Sequence, residues 1–144
     1  MTQPPRPTAS PRSPTTTAAA AARPAAGVTC TAALLVPGAG HFLQDERQKA
    51  VVFFVILMAM FAVGLGFGGR LFPFQISDPL VFLAAAAQWV LTAPRLAAVM
   101  GGWGQGTVVA ATYEYGNTFL IAAGLLNALV VLDAYDLATG RKAR

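Results

Sequence analysis

Long stretches of the chain carry no charged residue, and three of them set the pattern from which the fold is predicted. They cover residues 50–69, 79–94 and 115–132. Each is close to the roughly 20 apolar residues that cross a hydrocarbon core about 30 Å thick. A fourth apolar segment, residues 25–43, is interrupted by Pro37. The pattern predicts an all-α membrane protein, a bundle of about four transmembrane helices.

Local signals mark where the predicted spans begin, kink and end. Asp45, with Gln48 three residues later, is placed to form a capping box before the second span. Pro37 and Pro94 interrupt the first and third, because a proline inside a helix removes a backbone hydrogen bond. The first is therefore expected to be either a kinked span or a half-helix that breaks within the membrane at Pro37-Gly38. The spans are predicted over residues 27–43, 47–68, 79–100 and 117–137.

Two terminal segments fall outside the predicted helical transmembrane domain of residues 27–140. Residues 1–26 contain six prolines, three arginines and no acidic residue. Such a segment buries too little apolar surface to offset the entropy that it would lose on ordering. We expect it to be a disordered tail rich in proline, alanine and threonine. Residues 141–144 form a short basic C-terminal tail.

The composition excludes several classes of protein. Hydrophobic residues make up 56% of the 144 residues and charged residues 11%. A soluble domain has roughly 25% charged residues, so this chain lacks the polar shell of a soluble fold. The net charge of +4 does not indicate a nucleic-acid partner, because the basic residues lie in the tails and at segment ends. Basic residues at those positions are typical of proteins that are embedded in a lipid bilayer, so the predicted partner is the bilayer.

The distribution of lysine and arginine predicts the orientation. With four spans, seven basic residues fall on the side of both termini, and three, Arg47, Lys49 and Arg95, fall opposite. With a re-entrant first segment the split becomes six to four. The positive-inside rule therefore favours a multi-pass protein of the inner (cytoplasmic) membrane with both termini in the cytoplasm.

Two stretches of sequence resemble known membrane families. Residues 37–42, Pro-Gly-Ala-Gly-His-Phe, resemble the opening motif of a widespread group of small bacterial membrane domains drawn as two helices joined by a short turn. Together with residues 114–118 and the Leu-Asp-Ala-Tyr-Asp motif at 132–136, they resemble a bacterial multi-span family known only as a domain of unknown function. The resemblance covers roughly residues 30–144. It implies a fold and a membrane location, and no activity.

His41 is the only histidine and Cys30 the only cysteine. A single cysteine forms no intramolecular disulfide and no cysteine-based zinc site, and Cys30 is expected to be a small packing residue. His41 lies four residues before Asp45, hence on the same face if the helix is continuous, and the two could form half of a metal site or a proton relay. A transition-metal site needs more protein ligands than these, and Asp45 is already the predicted cap. We expect His41 to close the Pro37-Gly38 turn at the membrane edge. We predict no metal, no cofactor and no catalytic residue.

Asp133 and Asp136 form a second polar group. They lie three residues apart near the C-terminus of the fourth helix, where the helix dipole disfavours negative charge. Something must offset that charge. Two explanations stay open: a cation or proton site between helices, or an ion pair that anchors the helix, with partners among Arg47, Arg70, Arg141 and Lys142.

Neutral polar and small residues predict contacts between helices. Asn127 and Gln88 are typical of hydrogen bonds between membrane helices, and Arg95 is placed to extend its charge to the interface. Gly64 and Gly68, four residues apart, let a neighbouring helix approach closely. The residues of the predicted turn and packing motifs are Pro37, Gly38, Gly40, Gly64 and Gly68.

These residues favour a structural or interaction module of the bacterial inner membrane, which assembles with itself or with another membrane protein. The alternative is a small channel or carrier subunit that uses Asp133 and Asp136 as a cation or proton site, because broken helices mark ion sites in transporters. The sequence contains no arrangement typical of a catalytic triad or a phosphate-binding loop. No enzyme activity is therefore predicted.

Overall fold

The computed structural model describes residues 24–141, and all the regular elements in that range are helices. The all-α prediction is confirmed for this part of the chain. Most of the predicted N-terminal tail, residues 1–23, and residues 142–144 lie outside the described residues. The helices are α1 (Ala26–Leu35), α2 (Ala39–Leu43), α3 (Arg47–Gly66), α4 (Pro79–Trp89), α5 (Thr92–Met100) and α6 (Tyr113–Ala138).

The two longest helices, α3 and α6, form the frame of the bundle. They contain 20 and 26 residues, which corresponds to about 30 and 39 Å at about 1.5 Å per residue. They are antiparallel, because Gly64 late in α3 lies against Gly116 early in α6, whereas Phe53 early in α3 shares a groove with Asp133 late in α6. We call the end of the bundle at which α6 begins the Tyr113 end, and the opposite end the Ala138 end.

Helices α4 and α5 form a hairpin that begins and ends at the Tyr113 end. Their axes are bent by 103° at a short break. The loop before α4 is held against α6, because Arg70 N donates to Asn117 Oδ1 at 2.8 Å. The loop after α5 is bonded to the same segment, since Leu71 N donates to Gly104 O at 2.8 Å. The chain therefore enters the bundle and leaves it on one side.

The break in this hairpin falls at Val90–Leu91, before Pro94 and not at it. The reason is that proline lacks a hydrogen-bond donor and is too bulky for a continuous helix at this point. Proline lacks the N–H that would bond to the carbonyl four residues earlier, and its ring collides with that carbonyl in a continuous helix. For Pro94 that carbonyl belongs to Val90, so the chain turns there. The kink expected at Pro94 in the span predicted over residues 79–100 is found as a sharp bend between two helices.

Helices α1 and α2 form a second hairpin, located at the Ala138 end. A Cβ built on Gly40 of α2 would lie 2.9 Å from Ala33 Cβ, 2.9 Å from Thr29 O and 3.0 Å from Ala134 Cβ. α2 therefore packs back along α1 and beside the last turns of α6. α1 has 10 residues, about 15 Å, so it reaches only part-way into the bundle before the turn at Gly38. The segment predicted at 27–43 is a half-helix hairpin and not a kinked span.

The number of helices that could cross a membrane is smaller than expected. By length and composition α3 and α6 are two candidates, and the bent pair α4–α5 would be a third if it counted as one span. Four crossing helices are not found within residues 24–141. The hydrophobic pattern shows only how long each apolar segment is. The prolines turn the chain within two of these segments, and a count of apolar residues does not detect such a turn.

The surface of the bundle is apolar to a degree that a soluble protein avoids. Contiguous apolar surface on that scale marks a membrane or interaction surface. The buried core is small and made of Phe61, Leu71, Leu91, Ala98, Leu120 and Ala123. The largest part of the apolar side chains faces outward instead, including Val52, Phe54, Val55, Ile56, Leu125 and Leu129.

Close packing between helices depends on glycine at a few positions. A Cβ on Gly64 would lie 2.8 Å from Leu120 Cγ, so a larger residue would separate α3 from α6. Gly68 lies beyond the end of α3, with φ 79°, and faces Thr107 of the loop after α5. The two glycines were expected to share one helix face. They instead support two contacts, one between helices and one between loops.

Asp45 does not cap α3. Its backbone has a φ of 63°, in the left-handed region, and the residue before the first turn is Glu46, whose side chain makes no capping bond. The Asp45 carboxylate accepts a hydrogen bond from Arg47 Nε at 3.1 Å, and both side chains are exposed. The predicted capping box of Asp45 and Gln48 is wrong, because the tight turn after α2 fixes the backbone there.

Candidate functional site

The centre of the bundle is held by one side chain, Asn127. It is fully buried on α6. Its Nδ2 donates to Ala33 O at the end of α1, at 3.1 Å, and to Val90 O at the end of α4, at 2.9 Å. We call these three groups the central clasp. Both acceptors are backbone carbonyls of helices that stop inside the bundle.

The two carbonyls of the central clasp have a common origin. Ala33 lies four residues before Pro37, and Val90 lies four residues before Pro94. In a continuous helix each carbonyl would accept a bond from the residue four positions later, and proline has no N–H to donate. One amide group therefore replaces the two hydrogen bonds that the two prolines remove. A buried carbonyl without a donor would be costly at this depth.

The clasp also fixes where the two hairpins meet. The C-termini of α1 and α4 both point to Asn127 from opposite ends of the bundle, and each helix C-terminus carries a partial negative charge. α4 packs so closely on α6 that the carbonyl of Ala87 occupies the place of a side chain on Gly124. The amide donors of Asn127 are the positive groups placed between these helix ends.

A second polar group supports the strap, residues 69–72, which runs through the bundle near the Tyr113 end. Gln88 of α4 accepts from Phe72 N through Oε1 at 2.8 Å and donates to Arg70 O through Nε2 at 2.9 Å. Arg95 of α5 donates to Phe72 O through Nη2 at 2.6 Å and to Gln88 Oε1 through Nη1 at 3.0 Å. Side chains thus supply the hydrogen bonds that buried backbone requires.

Arg95, which was expected to extend its charge outward, is turned into the bundle. It is 5% exposed, and its guanidinium carbon lies 5.0 Å from the centre of the Trp89 ring, a cation–π contact. The bend between α4 and α5 turns the side chain inward towards Gln88. No sequence pattern around Pro94 indicates that direction.

A third polar group lies at the Ala138 end, where His41 and Asp133 meet. His41 Nε2 and Asp133 Oδ2 are 2.8 Å apart. The histidine side chain is fully buried and the aspartate side chain is 24% exposed. The His41 ring also makes an edge contact with Phe53, at 5.0 Å between ring centres. The pair joins α2 to α6 across 92 residues of sequence.

This geometry bears on two expectations about His41 and Asp133. His41 was placed at the membrane edge, or on one face with Asp45, whereas its side chain is buried and faces α6 because the α1–α2 turn points its helix inward. Asp133 was expected to form an ion pair with a basic residue. Arg70, one candidate, lies at the opposite end of the bundle, and His41 contacts Asp133. Lys142, another candidate, lies outside the described residues, so that pairing stays a prediction.

The remaining residues at the Ala138 end have smaller roles. Asp136 is half-buried, and its backbone carbonyl accepts from Arg141 N at 2.9 Å. It makes no ion pair with any residue in the range 24–141. Gln44, which the sequence did not single out, donates through Nε2 to Ala134 O at 2.8 Å and to Gly40 O at 3.3 Å. Its only sequence signal is its position directly after an apolar turn motif.

A comparison with protein families finds a match that covers all the polar groups described above. A model of a family of unknown function, DUF6677, matches residues 28–143. That range covers most of the chain. The chain belongs to DUF6677. The central clasp, the strap with its side-chain partners and the His41–Asp133 pair all lie within the DUF6677 range.

The family assignment confirms the coarse form of the resemblance, which is membership of a family without an assigned function. The chain matches no curated protein and no solved structure. Within the DUF6677 residues that the structure describes, no three His, Cys, Asp or Glu side chains are grouped so that they could hold a metal ion. The polar side chains of the site are bonded mainly to backbone.

Proposed function

We propose that this DUF6677 protein is a structural or interaction module of the bacterial inner membrane, made of two crossing helices and two hairpins that enter from opposite sides. The observation that carries the proposal is the use of the buried polar side chains. Asn127, Gln88, Asn117 and Gln44 all bond to the chain's own backbone. Buried polar groups of this kind fix a fold and do not line a passage for a solute.

The distribution of charge supports an orientation for this arrangement. The described residues begin before α1 and end after α6 at the Ala138 end, so the sequence on either side of the bundle is counted with that end. Eight of the ten basic residues then belong to the Ala138 end, and only Arg70 and Arg95 to the other. This is a larger excess than four spans would give. By the positive-inside rule the Ala138 end faces the cytoplasm.

A groove between α3 and α6 is the place where a partner helix would bind. The two helices are tight at the Tyr113 end, where Gly64 meets Gly116, and separate towards the Ala138 end. The resulting groove has a volume of about 420 Å³, and its lining is apolar except for one carboxylate. A second membrane helix would fill it. The lining residues are Phe53, Ile56, Leu57, Leu126, Leu129, Val130 and Asp133.

A second candidate function, a small carrier of protons or cations, is favoured by one observation at the Ala138 end. His41 Nδ1 and Gln44 Oε1 are buried and have no hydrogen-bond partner among the described residues. They lie near Asp133, which borders the groove. An aspartate–histidine pair with buried polar atoms that lack a partner is typical of sites that exchange a proton or a cation.

Photocrosslinking in native membranes separates the two candidates. With a photoreactive amino acid at Leu129 in the groove, we expect a discrete protein adduct, either a second copy or another membrane protein. Leu80 on α4, which is also exposed, serves as the matched position outside the groove and is expected to label lipid only. Lipid adducts at both positions would contradict the module. A solute or proton flux through reconstituted protein that Asp133→Asn abolishes would favour the carrier.

A further inference from the structure

A cavity with two arginines in its lining opens at the Tyr113 end, and it is separate from the groove between α3 and α6. Its volume is about 330 Å³. The strap forms one wall, α5 a second, and the loop after α5 a third. The residues that matter for its chemistry are Arg70, Arg95, Trp103 and Gln105.

Both arginines at this end of the protein line the cavity. Arg70 and Arg95 are the two basic residues between Lys49 and Arg141, and both line the cavity. Neither makes an ion pair with a carboxylate in the part of the chain that the structure describes. Asp78, the acidic residue nearest in sequence, accepts hydrogen bonds from the first turn of α4.

The two guanidinium groups retain donors that can face a ligand. A guanidinium has five N–H groups in a planar fork. The Arg95 guanidinium donates to Gln88 Oε1 and Phe72 O, and these two hydrogen bonds fix its position. Its other N–H groups remain for a ligand. The Arg70 guanidinium makes no hydrogen bond to any residue within 24–141, although the backbone of Arg70 is bonded on both sides. One arginine is therefore fixed and the other is available.

An uncompensated buried guanidinium is unfavourable, because taking a charge out of water costs several kcal/mol unless an opposite charge or polar partners replace the water. The partners of Arg95 are an amide oxygen, a carbonyl and the Trp89 ring, all of them neutral. A phosphate oxygen in the cavity would supply the missing negative charge. The fork of an arginine matches the spacing of two phosphate oxygens.

The position of the cavity matches the depth of lipid headgroups. Trp103 lines it and is 66% exposed, and tryptophan is enriched where the hydrocarbon core meets the headgroups. We propose that this cavity binds a phosphate group, held by the Arg70 and Arg95 guanidinium groups. The group belongs either to the headgroup of an anionic phospholipid or to free inorganic phosphate, and the experiment below distinguishes these sources.

The test uses the full chain purified in a neutral detergent, with thermal stability as the readout of binding. Phosphatidylglycerol, phosphatidylcholine and inorganic phosphate are titrated separately. We expect phosphatidylglycerol to stabilise the wild type and Arg70→Gln to weaken its apparent affinity about tenfold or more, because a hydrogen bond to a charged group is lost. Arg70→Lys, which keeps the charge and loses the fork, is expected to lie between them.

Arg47→Gln is the matched control, since Arg47 is an exposed arginine at the opposite end. It is expected to bind phosphatidylglycerol as the wild type does. Stabilisation by inorganic phosphate that depends on Arg70 would support the site and identify free phosphate as a source. The proposal is overturned if Arg70→Gln binds like the wild type, if Arg47→Gln loses as much affinity, or if phosphatidylcholine stabilises the protein equally well.

Discussion

Replacing Asn127 with leucine is expected to be among the most damaging single substitutions in the bundle. Leucine fills a similar volume and donates no hydrogen bond, so the carbonyls of Ala33 and Val90 lose their donor. A buried polar group left without its partner costs about 1–3 kcal/mol. Two hydrogen bonds are lost, and each is worth about 1–2 kcal/mol between model membrane helices, so we expect the free energy of unfolding to fall by about 2–4 kcal/mol. Reversible unfolding in mixed detergent micelles measures it.

The control for this prediction is Leu125→Ala on the same helix. Leu125 is 55% exposed on the apolar surface, so its truncation should change the free energy of unfolding far less. If Asn127→Leu is no more destabilising than Leu125→Ala, the central clasp does not hold the two hairpins. The other polar groups would then have to account for how the broken helices are kept in place.

Gly124→Ala is the second substitution with a large expected effect. The Ala87 carbonyl lies where the new methyl group would be placed, and the Gln88 backbone nitrogen is 3.2 Å from that position. Because the obstacle is backbone, α4 as a whole must move away from α6. Overpacking of this kind costs about 1–3 kcal/mol and occasionally more. We expect a loss near the upper part of that range, measured by the same unfolding experiment.

Gly66→Ala is the matched control for the added methyl group. Gly66 is the last residue of α3, and a Cβ there meets nothing within 4 Å. Alanine in a helix is favoured over glycine by about 0.5–1 kcal/mol, so this variant should be neutral or slightly more stable. Equal destabilisation of the two variants would mean that the close contact of α4 and α6 is not what Gly124 provides.

The sequence predicted well those features that depend on length and apolar content. The uncharged stretches at 50–69 and 115–132 became α3 and α6, because a helix that crosses a bilayer must be long and apolar over its whole length. The resemblance to a family of unknown function was confirmed in its coarse form by the match over residues 28–143, whereas the individual motifs stay a prediction. These signals are local, so one sequence is sufficient to find them.

The partners of the polar side chains could not be predicted, because they depend on how distant segments meet. Asn127 was expected to form bonds between helices and does so, but which carbonyls accept them could not be predicted, because they are 94 and 37 residues away. A usable signal did exist. Each proline inside an apolar segment frees one carbonyl four residues earlier, and Pro37 and Pro94 free two, which equals the number of hydrogens on one amide group.

The contact between His41 and Asp133 shows the same limit. Both residues were singled out from the sequence, but His41 was expected at the membrane edge or on one face with Asp45, and Asp133 was expected to pair with a basic residue. The direction in which α2 points decides the outcome, and that direction follows from the left-handed backbone at Gly38 and its close contact with the Ala50 carbonyl. Residue types along one helix do not contain this information.

The most direct test concerns the side of the membrane on which two loops lie. Cys30 is first replaced by serine, and single cysteines are then introduced at Ile76 and Val109, which are 90% and 95% exposed, with Asp45 as the reference at the Ala138 end. A membrane-impermeant thiol reagent is applied to intact spheroplasts and to inverted vesicles.

We expect the cysteines at 76 and 109 to react from the same side of the membrane, and the cysteine at 45 to react from the opposite side. That outcome follows if α4 and α5 enter and leave at the Tyr113 end. Four crossing helices would instead place positions 76 and 109 on different sides. Labelling of those two positions from opposite sides would contradict the two-span arrangement, and with it the role assigned to Asn127.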